Sequence, residues 1–172
     1  MSYIGNRGTS NRIGKLTLKR NCKVNDYMHK ASRFIVNYCI EHHIGTIVIG
    51  NNKDWKQNCN MGKRNNQNFV SVPFEKLISM IQYKSEEVGI RVVITEESYT
   101  SKVDHYAGEE MCHHDSYLGK RIKRGLYRSS TGKILNADLN GAIGILRKVS
   151  HESYMQVVSR GGVETPSRIH LV

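Results

Sequence analysis

The sequence predicts an α/β fold with a parallel βαβ core and a cationic, loop-rich insert before the last helix. Three observations carry this. Two short β-branched runs, TIVI at 46–49 and VVI at 92–94, each follow a stretch of helical period ended by glycine. The connection between them is long enough for a crossover helix, which parallel strands require and which is right-handed as a rule. A loop-rich basic stretch then separates this unit from a final amphipathic segment.

The chain has 172 residues and a formal charge of +11. That length supports one domain with a moderate core. A hydrophobic share of 38% is low enough that part of the chain has no core to pack into. The positive excess selects a polyanionic partner, nucleic acid before membrane. No apolar run is long enough to span a bilayer, and the opening residues lack the apolar stretch of a signal peptide, so no membrane partner is expected. Cys22, Cys39, Cys59 and Cys112 are widely spaced without a CxxC pair, which favours a reduced, cytoplasmic setting over a disulfide framework.

Residues 1–25 read as a basic arm. Arg7, Arg12, Lys15, Lys19, Arg20 and Lys23 stand there without an acid, and Gly5, Gly8 and Gly14 weaken any helix. A solvated tail and a nucleic-acid contact are equal readings of it. Asn25 is placed to cap a helix from Asp26, whose charge suits the helix dipole. Met28, Ala31, Ile35, Tyr38 and Cys39 form its apolar stripe, and Gly45 stops it. Residues 26–150 then make up the folded unit, with the insert at 103–135.

The strand TIVI is broken by Gly50, Asn51 and Asn52. Residues 53–68 are polar and basic around Trp55, which either stacks a base or, more commonly, anchors a loop. Ser71 as cap and Pro73 in the first turn open a second helix. Phe74, Leu77, Ile78, Ile81 and Val88 are its expected buried face, and Gly89 its stop. Val92, Val93 and Ile94 follow as a buried strand. The insert carries Lys120, Arg121, Lys123, Arg124, Arg128 and Lys133. Its Cys112, His113, His114 and Asp115 read as an incidental surface cluster, because a fixed zinc site needs about four converging ligands and no second pair is suitably spaced.

Residues 136–149 predict a third helix packed through Leu139, Ala142, Ile143 and Leu146, with Gly141 and Gly144 permitting close backbone approach. Asp138 in its first turn is an ordinary capping acid on spacing alone. Residues 151–172 lose periodicity and read as a loose tail.

Chemistry points to the end of the second strand, where Glu96 and Glu97 precede Ser98, Tyr99, Thr100 and Ser101. Parallel strands deliver ligand-binding groups from their carboxyl ends, so an acid there is placed to handle a metal or a phosphate. A solvated acidic loop is the alternative. Two-ion phosphodiester cleavage needs several carboxylates converging on ions about 4 Å apart. Glu97, Glu96 and Asp138 are the candidates.

TEESYTSK at 95–102 and YLGKRIKRGLYRSSTGKILNADLNGAIGILRK at 117–148 resemble the C-terminal part of TnpB/OrfB proteins, transposon-encoded RNA-guided DNA nucleases. LTLKRNCKVNDYMHKASRFIVNYCIEHHIGTIVIGNNKDWKQ at 16–57 resembles the preceding stretch of that family. The likeness covers residues 15–149. It implies a partial RuvC-like, RNase H-like domain, a zinc ribbon before the last helix, and three catalytic acids. The third corresponds to Asp138. The second falls at Gly50, so its glutamate is missing, and some branches carry a relocated glutamate that Glu97 matches best and Glu96 nearly as well. Adjacent strands lie about 4.8 Å apart, so a relocated acid reaches the same metal.

A strand bearing the first acid is not found ahead of Asp26, nor is the family's guide-recognition region. Where many relatives carry cysteine pairs, this chain has KVDH at 102–105 and GLYR at 125–128, so no zinc is expected. The resemblance therefore implies a nucleic-acid-binding fragment of a transposase-associated DNA endonuclease, inactive alone. The alternatives are an active metal-dependent half completed by an upstream polypeptide, or an RNA-binding protein without catalysis. Mg²⁺ enters only in the active case, held by Glu97 and Asp138. Lys102, Lys120, Arg121, Lys123, Arg124 and Arg128 are the expected contacts to DNA, with guide RNA the second partner. The expected location is the cytoplasm, on the nucleoid when DNA is bound.

Overall fold

The computed structural model describes residues 10–52, 73–160 and 169. The expectations for Arg7, for Trp55 and its loop, for Cys59, for the Ser71 cap and for the tail at 161–168 and 170–172 lie outside those residues.

Helix α1 runs Asn11–Glu41, capped by Ser10, whose hydroxyl accepts from the Ile13 N–H at 3.3 Å. It thus begins well before Asp26, and the arm from Asn11 is helical. Leu, Lys and Arg are good helix formers and carry the helix through Gly14, so Asn25 lies inside it rather than capping it. Residues 11–23 are exposed, about 20 Å of helix standing clear of the body. The buried line is Met28, Ser32, Val36 and Cys39, while Tyr38, expected inside, is 47% exposed. Ser32 can sit at the centre because its hydroxyl donates to Met28 O at 2.8 Å and accepts from Lys84 Nζ at 2.7 Å.

Strand β1, Thr46–Gly50, pairs in parallel with β2, Arg91–Thr95, from Thr46↔Arg91 to Gly50↔Thr95. Helix α2, Phe74–Glu86, crosses between them and packs on α1. Its buried residues are Met80, Ile81, Lys84 and Ser85. Lys84 is buried because its ammonium also donates to His29 O at 2.8 Å, and burial lowers its pKa, with Arg33 nearby acting the same way. Val88 is exposed, contrary to expectation, because it falls in the turn that Gly89 (φ 74°) completes, past the end of the helix. Val92 and Val93 are half-buried and Ile94 is exposed, so β2 is not the buried strand expected. Among the described residues its sheet has two strands, too few to cover both faces.

The insert contains an antiparallel sheet of β3 (Lys120–Lys123), β4 (Leu126–Arg128) and β5 (Ile134–Asn136), in that order. Helix α3, Ala137–Val149, follows directly, and Asn136 caps it by accepting from the Asp138 N–H at 2.8 Å. Its buried residues are Ala137, Asn140, Ile143 and Gly144, whereas Ala142, expected to pack, is exposed. The loose tail is contradicted over His151–Ser159, which form helix α4. Ser150 caps it, and Tyr154 is buried with its hydroxyl donating to His105 O at 2.5 Å.

Two apolar clusters result. One gathers Tyr127, Leu135, Ala137, Ile143 and Tyr154, the other Val36, Cys39 and Ile90. No described helix is long and apolar enough to cross a membrane.

Candidate nucleic-acid interface and strand-end acids

The two acids after β2 face different surroundings. Glu97 is held by its backbone: its N–H donates to Asn52 Oδ1 at 2.8 Å, and its carbonyl accepts from the Thr100 hydroxyl at 2.9 Å. Its side chain lies over Gly50, where an added Cβ would stand 2.5 Å from Oε1 and 2.6 Å from Cγ. The Glu97 carboxylate thus fills the space a side chain at residue 50 would enter. Glu96 instead accepts from Lys148 Nζ at 2.6 Å and from the Ser98 hydroxyl at 2.6 Å, and these bonds, Lys148 foremost, hold its pKa down.

Below Glu97 lies an apolar cavity of about 400 Å³ between β1, α1 and α2, lined by Ile35, Ile47, Ile49, Phe74 and Ile81 among others. Asp138 does not line it. It is exposed in the first turn of α3. Ile145, whose Cδ1 would meet a Cβ at Gly50, stands seven residues further along the same face, about 10 Å of helix rise from Asp138. Among the described residues no three His, Cys, Asp or Glu side chains gather to hold an ion. These carboxylates alone do not fit a two-ion centre.

The asparagine of the ADLN motif points the other way. Asn140 is fully buried, and its amide donates to Val103 O at 3.1 Å. The next two residues after Val103, Asp104 and His105, are both 0% exposed, and the Asp104 N–H donates to buried Glu109. The His105 Nε2–H donates to Thr100 O at 2.8 Å, and Nδ1 is buried without a partner, which fits a neutral ring. Burial pushes its pKa down, Arg147 adds to that, and the Thr100 bond, Asp104 and Glu109 oppose it. Gly144 makes room for this contact, since a Cβ there would be 2.5 Å from His105 Nε2 and 2.8 Å from Thr100 O. Sequence reasoning missed this network because Asp104 and His105 sit in a hydrophilic stretch that reads as surface.

The insert presents the cations. Lys120, Arg121, Lys123, Arg124 and Arg128 are exposed, and no ion pair engages them among the described residues. Lys120 pairs directly with Arg128 across β3 and β4, while Tyr127, opposite Arg121, turns inward at 1% exposure. The Tyr127 hydroxyl donates to Lys102 O at 2.9 Å, and burial, with Asp104 and Glu109 near, raises its pKa so that it stays a donor. Lys102 is exposed, its ammonium 5.9 Å from the Tyr117 ring centre. A second cationic line, Arg12, Lys15, Lys19 and Lys23, recurs at helical spacing on the exposed part of α1. In the cysteine–histidine cluster, Cys112 Sγ lies 3.4 Å from His114 Nε2, which is also 2.8 Å from Glu110 O, and His113 packs edge-on to Tyr99.

Residues 74–145 match the family described as Cas12f1-like, TNB domain, and residues 4–56 match the OrfB/IS605 family, described as a probable transposase. The TnpB-like protein ORF457 of Acidianus two-tailed virus is 32% identical over 107 residues, covering 61% of this chain and 20% of its own length. A chain of the solved Cas12f1–sgRNA–target DNA complex superposes with a TM-score of 0.61 at 20% identity, covering 78% of this chain and 36% of that one. That likeness concerns the fold. The chain spans about a fifth of the viral relative and about a third of the solved chain.

Proposed function

We propose that this chain, which belongs to the TnpB/OrfB family, is the C-terminal, RuvC-like part of a transposon-type DNA endonuclease. It binds nucleic acid through its insert, and residues 1–172 do not cut by themselves. One observation carries the binding: the exposed cations of β3 and β4 have no counter-ion among the described residues, and Lys120 stands opposite Arg128. Like charges directly opposite in an antiparallel pair are destabilising, and a phosphate backbone relieves the repulsion. The solved structural relative is a Cas12f1–sgRNA–target DNA complex, which supports DNA as partner here and RNA as the second.

The position of Glu97 over Gly50 supports it, rather than Glu96, as the relocated acid, with Asp138 as the other surviving one. Glu96 is already bound to Lys148. Two carboxylates are fewer than two-ion cleavage uses, which supports inertness. The purified chain is expected to shift a DNA duplex in a gel and to leave supercoiled plasmid intact with Mg²⁺ or Mn²⁺. Nicking that disappears in Asp138→Ala would refute the inertness and leave the binding standing.

A second reading is a nuclease half completed by another polypeptide that supplies a strand and an acid. It is favoured by the sheet, which has two strands among the described residues and whose Ile47 and Ile49 line the apolar cavity. Co-expression with the product of the adjoining upstream reading frame tests it. A complex that cuts, and stops cutting in Glu97→Gln but not in Glu96→Gln, supports it; no complex and no cutting ends it.

A further inference from the structure

The insert closes around one buried acid. Asp104 is 0% exposed, and no ion pair engages it among the described residues. Its Oδ2 accepts from the Ser130 N–H at 2.7 Å, the Ser130 hydroxyl at 2.8 Å and the Ser129 hydroxyl at 2.9 Å. Its Oδ1 accepts from the Ala107 N–H at 3.2 Å. The carboxylate thereby ties the turn after Val103 to the turn after β4. Ser129 extends the tie, since its oxygen also accepts from the Thr131 N–H at 3.1 Å. Glu109 adds a third strand of chain, accepting from the Asp104 N–H at 2.7 Å and the Leu118 N–H at 2.8 Å.

We propose that Asp104 is a metal-free clasp whose carboxylate, through hydrogen bonds, makes the cross-link between two turns for which a zinc ribbon uses an ion. It joins the stretch at 102–105 to the residues directly after 125–128, the two places where the family resemblance implies cysteine pairs. The local donor set argues against an ion. Three N–H or O–H groups converge on Oδ2, and a cation would have to displace them. Serine and threonine hydroxyls are also poor company for zinc, which takes thiolate, imidazole and carboxylate ligands. A buried carboxylate without a cation is costly unless its lone pairs are satisfied, and these four donors satisfy them. Burial pushes the Asp104 pKa up, but the Ser130, Ser129 and Ala107 bonds outweigh it and hold the group below its ordinary value, ionised at neutral pH. Arg128 is adjacent in sequence to Ser129, so the clasp also fixes part of the cationic surface. It stands whether or not those cations bind nucleic acid.

The test uses the full chain. Metal content and thermal melting are measured with and without EDTA, and amide hydrogen exchange is compared in wild type, Asp104→Asn and Ser130→Ala. Expected are no stoichiometric zinc and a melting temperature unmoved by EDTA. In Asp104→Asn, melting should fall by roughly 5 °C, with faster exchange at the Ala107 and Ser130 amides and unchanged exchange at Asn51 and Arg91 in the parallel sheet. Ser130→Ala should speed exchange at Ala107 and Ser130 by less. Stoichiometric zinc with melting that drops on chelation would overturn the clasp. So would an Asp104→Asn variant in which both insert amides stay protected. Should Asp104→Asn not fold, the metal content and the Ser130→Ala exchange decide.

Discussion

The parallel sheet and the insert bury themselves in opposite ways. Around the sheet, the strand residues are at best half-buried, Ile94 is 44% exposed, and an apolar cavity of about 400 Å³ lies between β1, α1 and α2. In the insert, Tyr127 and Leu135 are 1% exposed, and the buried groups Asp104, His105 and Glu109 all make directed hydrogen bonds, with Asn140 of α3 donating to Val103 O. The difference lies in what each region needs from outside itself. Apolar strands are stabilised by neighbours that cover them, and among the described residues this sheet has two strands, with an apolar cavity left between β1 and its helices. The insert holds its shape through its own polar contacts and can present cations from a fixed frame.

Substitutions at glycine separate the two regions most sharply. Gly144→Ala gains helix propensity of about 1 kcal/mol but drives a methyl into the Thr100 backbone carbonyl and the His105 ring. The net expectation is a loss of about 2 kcal/mol or more, read from urea unfolding. Tyr127→Phe, which strands Lys102 O, should cost about 1 kcal/mol in the same assay. Gly141→Ala meets nothing within 4 Å and should stabilise by about 0.5–1 kcal/mol. Gly50→Ala in the sheet half meets the Glu97 side chain at Oε1 and Cγ and the end of Ile145. These are side-chain atoms rather than backbone, and Glu97 can turn toward solvent, so the loss should be smaller than that of Gly144→Ala. A Gly50→Ala loss as large as that of Gly144→Ala would erase the contrast between the regions.

Acid should also act on the insert first. The folded-state pKa of His105 is depressed, so the unfolded chain binds the proton that the folded chain refuses. Stability from this site is complete above the ordinary histidine value of about 6.5 and is lost as pH falls below it. Arg147 reinforces the depression, and Asp104 and Glu109 oppose it. Urea midpoints that stay flat from pH 8 to pH 5 would contradict the neutral, buried ring.

Much of the sheet half was legible in the sequence. TIVI and VVI are short β-branched runs with glycine or asparagine stops, and periodicity finds such strands reliably. The last helix was legible from its apolar period, but its cap was not: Asn136, expected inside the helix, caps it, and Asp138, expected as the capping acid, supplies the N–H that Asn136 accepts. The burial of the strands was not, because a run of three apolar residues does not say how many neighbours a sheet has. The helix faces were rotated wherever a polar residue took the centre: Ser32 in α1 and Asn140 in α3 are fully buried because each has a partner far away in sequence, Lys84 and Val103 O. Asp104 and His105 escaped notice likewise, since nothing local marks an acid as the centre of a fold. Of the site, spacing alone left Glu96 and Glu97 equivalent; Gly50 under Glu97 and Lys148, arriving from α3 onto Glu96, tell them apart.

A salt titration of DNA binding tests the account most directly. Affinity for a duplex is measured across a range of salt concentrations for wild type and for a variant with Lys120, Arg121, Lys123 and Arg124 changed to Ala. Each phosphate contact contributes about 0.9 to the slope of log K against log salt, so the account predicts a slope shallower by about 3–4 with thermal melting unchanged. A variant that binds with the wild-type affinity and slope would contradict it.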